Sequence, residues 1–129
     1  MDSALHLLGI ARKAGRAEVG EEPAGAACRA RQARVLLVAA DAADNSIRRA
    51  ARFAEAGQIP WLQTPWDKGT LGGAVGRTAC AMLALTDAGL AAALVEKLAQ
   101  AYPDAHGPAA EALRDKAARQ LQRQREPRA

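Results

Sequence analysis

Aromatic side chains are scarce: two tryptophans, one tyrosine and one phenylalanine make up 3% of 129 residues. An all-β domain draws heavily on aromatic and β-branched residues, so this poverty argues for an α/β or all-α protein. Cysteine is nearly as rare. Cys28 and Cys80 lie far apart and form no Cys-x-x-Cys pair, which speaks against a zinc or disulfide framework. They read as two small buried hydrophobes in a reducing compartment. No apolar run approaches the ~18–20 residues that a membrane span needs. The opening MDSALHLLGIARKAG has no basic segment ahead of an apolar core, so it does not read as a signal peptide. Together these absences give the expectation of a soluble, cytoplasmic protein with no metal and no membrane partner.

Half of the residues are apolar, chiefly Ala, Leu and Val, and the length suits one domain with a proper core. The net charge is +4. Such a mild positive balance permits a polyanionic partner without proving one.

Hydrophobic periodicity divides the chain into alternating elements. SALHLLGIARKAG sets Leu5, Leu8 and Ala11 on one helical stripe, with Ala4, Leu7 and Ala14 beside it and Gly15 as the stop. RAEVG is a short strand that Gly20 turns into the helix EEPAGAACRARQA. Pro23 is tolerated in a first turn because the N–H it lacks would have no intrahelical partner there. Gly25 costs that helix about 1 kcal/mol relative to Ala. RVLLVAAD is a near-continuous apolar run, the pattern of a central strand covered on both faces. DAADNSIRRAARFAEAG follows as a helix that Asp44, Asn45 or Ser46 can cap and Gly57 ends, with Ile47, Ala50, Ala51 and Ala54 inward. Arg48, Arg49 and Arg52 point out as a solvated face. QIPWLQTP is a strand, WDKGTLGGAVG a short glycine-laden helix, TACAMLALTD a buried strand, and AGLAAALVEKLAQAY an amphipathic helix lined by Leu90, Leu94, Val95 and Leu98. This strict alternation predicts a largely parallel or mixed sheet between helices. Beyond YPDAHGP, only Leu113, Ala117 and Leu121 make an apolar stripe among Gln and Arg. The domain is therefore expected over 1–101. Residues 102–129 form a basic tail, marginally helical or disordered.

Reactive groups do not converge in this pattern. His6 and His106 have no patterned Ser, Cys or Asp partner. Asp41 and Asp87 each follow a buried strand, a common catalytic position, but equally a favourable one at a helix N-terminus. The glycines of KGTLGGAVG lie within a helix rather than between a strand and the helix it opens, so they do not form a phosphate loop. No enzyme, cofactor or small-molecule substrate is expected. Basic residues are better placed: Arg12, Lys13 and Arg16 at the end of the first helix, Arg29, Arg31 and Arg34 along the second, and Lys68 and Arg77 about the glycine-rich one. Trp66 could stack on a base, though a Trp at a strand exit more often packs.

Three stretches, LLGIARKAGRAEVGEE, VLLVAADAADNS and LGGAVG with ACAMLALTD, stand in the order and spacing of the kink-turn-binding ribosomal-protein superfamily. That superfamily includes the archaeal large-subunit protein seven-Ae and the eukaryotic large-subunit protein thirty. Over roughly residues 3–101 the chain most resembles its bacterial YlxQ-like branch. The resemblance implies a three-layer α/β/α sandwich with a small mixed sheet. It also implies binding of structured RNA, ribosomal or other and kink-turn RNA included, by a ribosome- or translation-associated protein. In relatives the strand–helix junction carries Gly-x-Asn-Glu-x-x-Lys. Here the glycine is Gly20, while Glu22, Pro23 and Ala26 stand at the Asn, Glu and Lys positions. The lysine just before the Leu-Gly of the short helix is Lys68, and the loop that packs on RNA in relatives is Arg77, Thr78, Ala79 and Cys80. Lys13, Gly20, Glu21, Glu22, Lys68, Arg77, Thr78 and Ala79 are thus the expected RNA-binding residues. A carboxylate can accept hydrogen bonds from a guanine edge, so Glu21 and Glu22 do not exclude RNA. Loss of the Asn and Lys removes a bidentate polar reader and a phosphate contact. The competing expectation is a protein-interaction module on the same fold.

Overall fold

The computed structural model describes residues 2–102; the expected tail, apart from Tyr102, lies outside the described residues. The alternating pattern is realised as α1 (Ser3–Lys13), β1 (Ala17–Val19), α2 (Glu21–Arg29), β2 (Val35–Val38), α3 (Asp44–Gly57), β3 (Trp61–Gln63), α4 (Lys68–Ala74), β4 (Met82–Leu85) and α5 (Ala88–Ala101). The two fully apolar runs, VLLV and MLAL, are buried along their whole length. They lie side by side at the centre of a sheet ordered β1-β4-β2-β3.

The sheet is mixed, as expected. β4 pairs antiparallel with both β1 and β2, and α3 carries the chain across to β3, which runs parallel to β2. Helices α2 and α3 pack together over one face, whereas α1 packs with α4 and α5 on the other, giving an α/β/α sandwich. The core is almost wholly aliphatic: Leu8, Leu36, Leu37, Leu71, Leu83 and Leu94 are fully enclosed. Each such leucine is worth about 2–5 kcal/mol against truncation to Ala.

Caps set the helix starts. Asp2 accepts from the N–H groups of Ala4 and Leu5, Asp67 from Thr70 and Asp87 from Leu90. Asp87 is accordingly a cap and not part of a reactive cluster. Helix α3 ends at Gly57 as expected but departs from expectation in its N-cap and in the residue that takes its closing turn. Its N-cap is Ala43 with no side-chain bond, and Asp44 is already the first helical residue. At the other end Gly57 is inside the helix and Gln58 takes the left-handed turn, φ 55°. The reason is packing. A Cβ on Gly57 would stand 3.0 Å from the carbonyl oxygen of Cys28, so the glycine is needed for the close approach of α2 and leaves the turn to its neighbour. Gly25 has a matching role, since a Cβ there would meet the Phe53 ring at 2.7 Å.

Candidate functional site

Topology alone collects most of the expected residues. The C-terminal ends of β1, β2 and β3 and the N-terminal end of β4 all lie at one end of the sheet. The chain therefore starts α2, α3 and α4 from that same end. Gly20 caps α2 with φ 106°, a conformation open to glycine and strained for other residues. Its N–H donates to the Met82 carbonyl at 2.9 Å, which ties the start of α2 to the start of β4.

Glu21, the first residue of α2, is gripped from the neighbouring helix. Arg49 Nη1 donates to Glu21 Oε2 at 3.0 Å, with side-chain exposures of 52% and 29%. Arg49 is thus not merely part of a solvated face, as the charge run alone suggests; it joins α3 to the opening of α2. The second carboxylate oxygen, Oε1, is enclosed without a hydrogen-bond partner among the described residues. Glu22, Pro23 and Ala26 are exposed around it.

Lys68 begins α4 at the same end of the sheet. Its N–H donates to Asp41 Oδ1 at 2.8 Å, and its carbonyl accepts from the Cys80 N–H at 3.0 Å. Asp41 is therefore a remote cap for α4, a role no local spacing reveals. Asp67 adds a second carboxylate to the same helix start. The bond from the Thr70 N–H, 2.7 Å, is the main cause holding its pKa below the usual aspartate range. The Arg77–Cys80 loop closes back on α4 at Gly72, where a Cβ would lie 2.8 Å from the Ala79 backbone. Arg77, Thr78 and Ala79 are all exposed. Cys80 and Cys28 are buried, and burial pushes both thiols up, away from reactivity.

Gly20, Glu21, Glu22, Lys68 and the Thr78–Ala79 loop thus lie at the same end of the sheet, with Arg77 at the loop's start. Lys13 is not. It ends α1 beside the turn into β1, where the Arg16 carbonyl accepts from Thr86 beyond the far end of β4. The sheet separates it from Gly20. Arg12, one residue earlier, lies over Gly76, whose Cβ would stand 2.8 Å from its Cζ.

Trp66 is 5% exposed and so packs rather than stacks on a ligand. Its Nε1–H donates to Asp2 Oδ2 at 3.1 Å, and the Tyr102 hydroxyl donates to the same oxygen at 2.7 Å. The two rings meet edge to face with centroids 6.3 Å apart. This clasp joins the start of α1, the approach to α4 and the end of α5. Partial burial pushes the Asp2 carboxyl up, but the bonds from Tyr102, Trp66, Ala4 and Leu5 outweigh it and leave the pKa lowered. No pattern in the sequence announces a contact between residues 2, 66 and 102.

The described residues contain no cluster of three or more His, Cys, Asp and Glu side chains able to hold a metal. They also contain no helix long and apolar enough to cross a membrane.

The arrangement defines a three-layer α/β/α protein in which three helices start from one end of the sheet. A protein of unknown function from Bacillus halodurans has a similar structure, with a TM-score of 0.71 and 24% identity over 76% of this chain and 98% of that one. So does the 15.5 kD RNA binding protein of Giardia lamblia, with a TM-score of 0.62 and 18% identity over 84% of this chain and 85% of that one. These likenesses establish the fold. No family model and no curated protein matches the chain.

Proposed function

We propose that the protein is a non-enzymatic, cytoplasmic RNA-binding protein that takes structured RNA at the Gly20–Lys68 end of its sheet, in association with the ribosome or translation. The observation that carries this reading is the convergence of Gly20, Lys68 and the Thr78–Ala79 loop on one exposed end. The fold is also shared with a Giardia protein described as RNA-binding. Lys68 offers a phosphate contact, and the exposed carboxylate of Glu22 offers an acceptor to base N–H groups. The resemblance of the Gly20 junction to kink-turn-binding relatives extends the proposal to kink-turn RNA, with weak discrimination because Ala26 supplies no phosphate contact.

One observation favours a second reading, a protein-interaction module. Glu21, Glu22, Asp41, Asp44 and Asp67 accompany Arg48, Arg49, Lys68 and Arg77 at or near this end, so the folded surface there is not strongly basic. Titration of a structured RNA across about 50–200 mM salt separates the two. Binding should weaken with salt, and Lys68→Ala should lower the slope of log affinity on log salt by somewhat less than ~1 unit. Arg52→Ala, on the exposed side of α3, should leave it unchanged. Equal effects from both variants, or no RNA binding at low salt, would favour the interaction module.

A further inference from the structure

The opposite end of the sheet has a different balance of charge. β4 runs away from the Gly20 end and finishes at Leu85, where backbone bonds pin an arginine on either side of it. The Thr86 N–H donates to the Arg16 carbonyl at 2.9 Å, and the Arg34 N–H donates to the Leu85 carbonyl at 2.7 Å. Arg16 and Arg34 thus lead into β1 and β2 on opposite sides of β4, their backbones about 10 Å apart, or two strand spacings. The Arg16 N–H donates to the Ala11 carbonyl at 2.8 Å, which brings the last turn of α1, with Lys13, to the same place. All three cationic side chains are exposed. Other arginines are committed: Arg31 donates to Gln58 at 3.0 Å, Arg48 to Asn45 at 2.8 Å and Arg49 to Glu21 at 3.0 Å. Lys13, Arg16 and Arg34 have no ion pair or side-chain hydrogen bond among the described residues. Of the acids nearest along these strands, Asp87 accepts the Leu90 N–H as the cap of α5, and Glu18 lies two residues beyond Arg16 in β1.

We infer that Lys13, Arg16 and Arg34 form a second RNA surface, which holds the phosphate backbone of a separate RNA segment without reading its sequence. The protein then joins two RNA segments, one at each end of its sheet. The three cations come from separate stretches of chain and are not the solvated face of one helix. With no carboxylate paired to them, an anion relieves their mutual repulsion. Guanidinium groups suit phosphate, which they take through paired N–H donors. A regular row of phosphates also matches cations whose backbones are pinned, whereas an acidic peptide must first be ordered. Arg16 and Gly20 are separated by four residues of extended chain, about 13 Å, so the two surfaces face apart and need not compete. The inference goes beyond the reading of the Gly20 end and rests on it only in taking RNA as the polyanion.

The test uses the full chain, a donor-labelled kink-turn RNA and an acceptor-labelled plain RNA duplex, mixed in equal amounts at about 50 mM salt. Energy transfer between the two RNAs should appear when one equivalent of protein is added. With Arg16→Gln and Arg34→Gln together, in a variant matched to wild type in circular dichroism and thermal midpoint, the transfer should vanish. Anisotropy titrations should show affinity for the duplex falling at least about tenfold, with a salt slope lower by somewhat less than ~2 units. Affinity for the kink-turn RNA should stay within about twofold of wild type, as independent sites require. Equal losses for both RNAs would overturn the inference, because one surface would then serve both. No loss for either, or no transfer from a wild type that binds both, would also overturn it. A polyglutamate peptide that bound as tightly as the duplex would do the same, marking an acidic protein segment as the partner. Duplex binding that needs Arg16 and Arg34, with no effect of Lys68→Ala on either RNA, would support this surface and remove the reading of the Gly20 end.

Discussion

One carboxylate, that of Asp2, joins three parts of the chain: it caps α1, accepts the buried indole N–H of Trp66 and anchors Tyr102. Asp2→Ala removes the cap and leaves an enclosed donor unpaired, at a combined cost of about 2–4 kcal/mol. The thermal midpoint should fall by about 10 °C or more, given the usual shift per kcal/mol for a domain of this size. Because the folded-state pKa is depressed, the stabilisation from ionised Asp2 is fully present above the ordinary aspartate pKa. It is lost as pH falls through the lower folded value. The stability gap between wild type and Asp2→Ala should therefore hold steady near neutrality and narrow in acid, which thermal melts over a pH series would check. Ala26 is the second residue to test. It is exposed on α2, where Lys can reach outward without displacing any neighbour. Ala26→Lys should tighten kink-turn RNA binding by about 1–2 kcal/mol, the scale of one charge-assisted hydrogen bond. An unchanged dissociation constant would contradict the placement of RNA along α2.

At the scale of elements, helix and strand identities were legible because each segment has its own hydrophobic period. VLLV and MLAL read as buried strands, and the stripe of Leu94, Val95 and Leu98 as the apolar side of a helix. Packing between elements was not legible. A glycine that weakens an isolated helix looks the same in sequence as one that permits a close approach. Gly25 against Phe53, Gly57 against Cys28 and Gly72 against Ala79 are all of the second kind. The displacement of the left-handed turn from Gly57 to Gln58 follows from the same constraint. Gly72 matters most to the candidate site, because the atoms a Cβ would strike are Ala79 backbone, which cannot swing aside as a flexible side chain can. Gly72→Ala should destabilise the fold by about 1–3 kcal/mol through overpacking. It should also displace the Thr78–Cys80 loop, measurable as a lowered midpoint together with weakened RNA binding. A variant as stable as wild type would show that the loop yields easily.

Over the whole molecule, the candidate site was half legible. Gly20, Lys68 and the loop from Arg77 could be singled out along the chain only through the family resemblance of the stretches that carry them. Their convergence depends on strand order, which places β1 and β2 on either side of β4 and directs three helix starts to one end. Lys13, expected with them, lies toward the other end of β1, a strand only three residues long. The ion pair of Arg49 with Glu21, 28 residues apart, and the clasp spanning 100 residues leave no local signature. Amide chemical-shift mapping of the isotope-labelled full chain during titration with a kink-turn RNA tests the central claim most directly. The account predicts that Gly20, Glu21, Glu22, Lys68, Thr78 and Ala79 shift together, while Arg31 and Gln58, at the far ends of α2 and α3, stay fixed. Shifts centred on Arg31 and Gln58, or none anywhere at low salt, would contradict it.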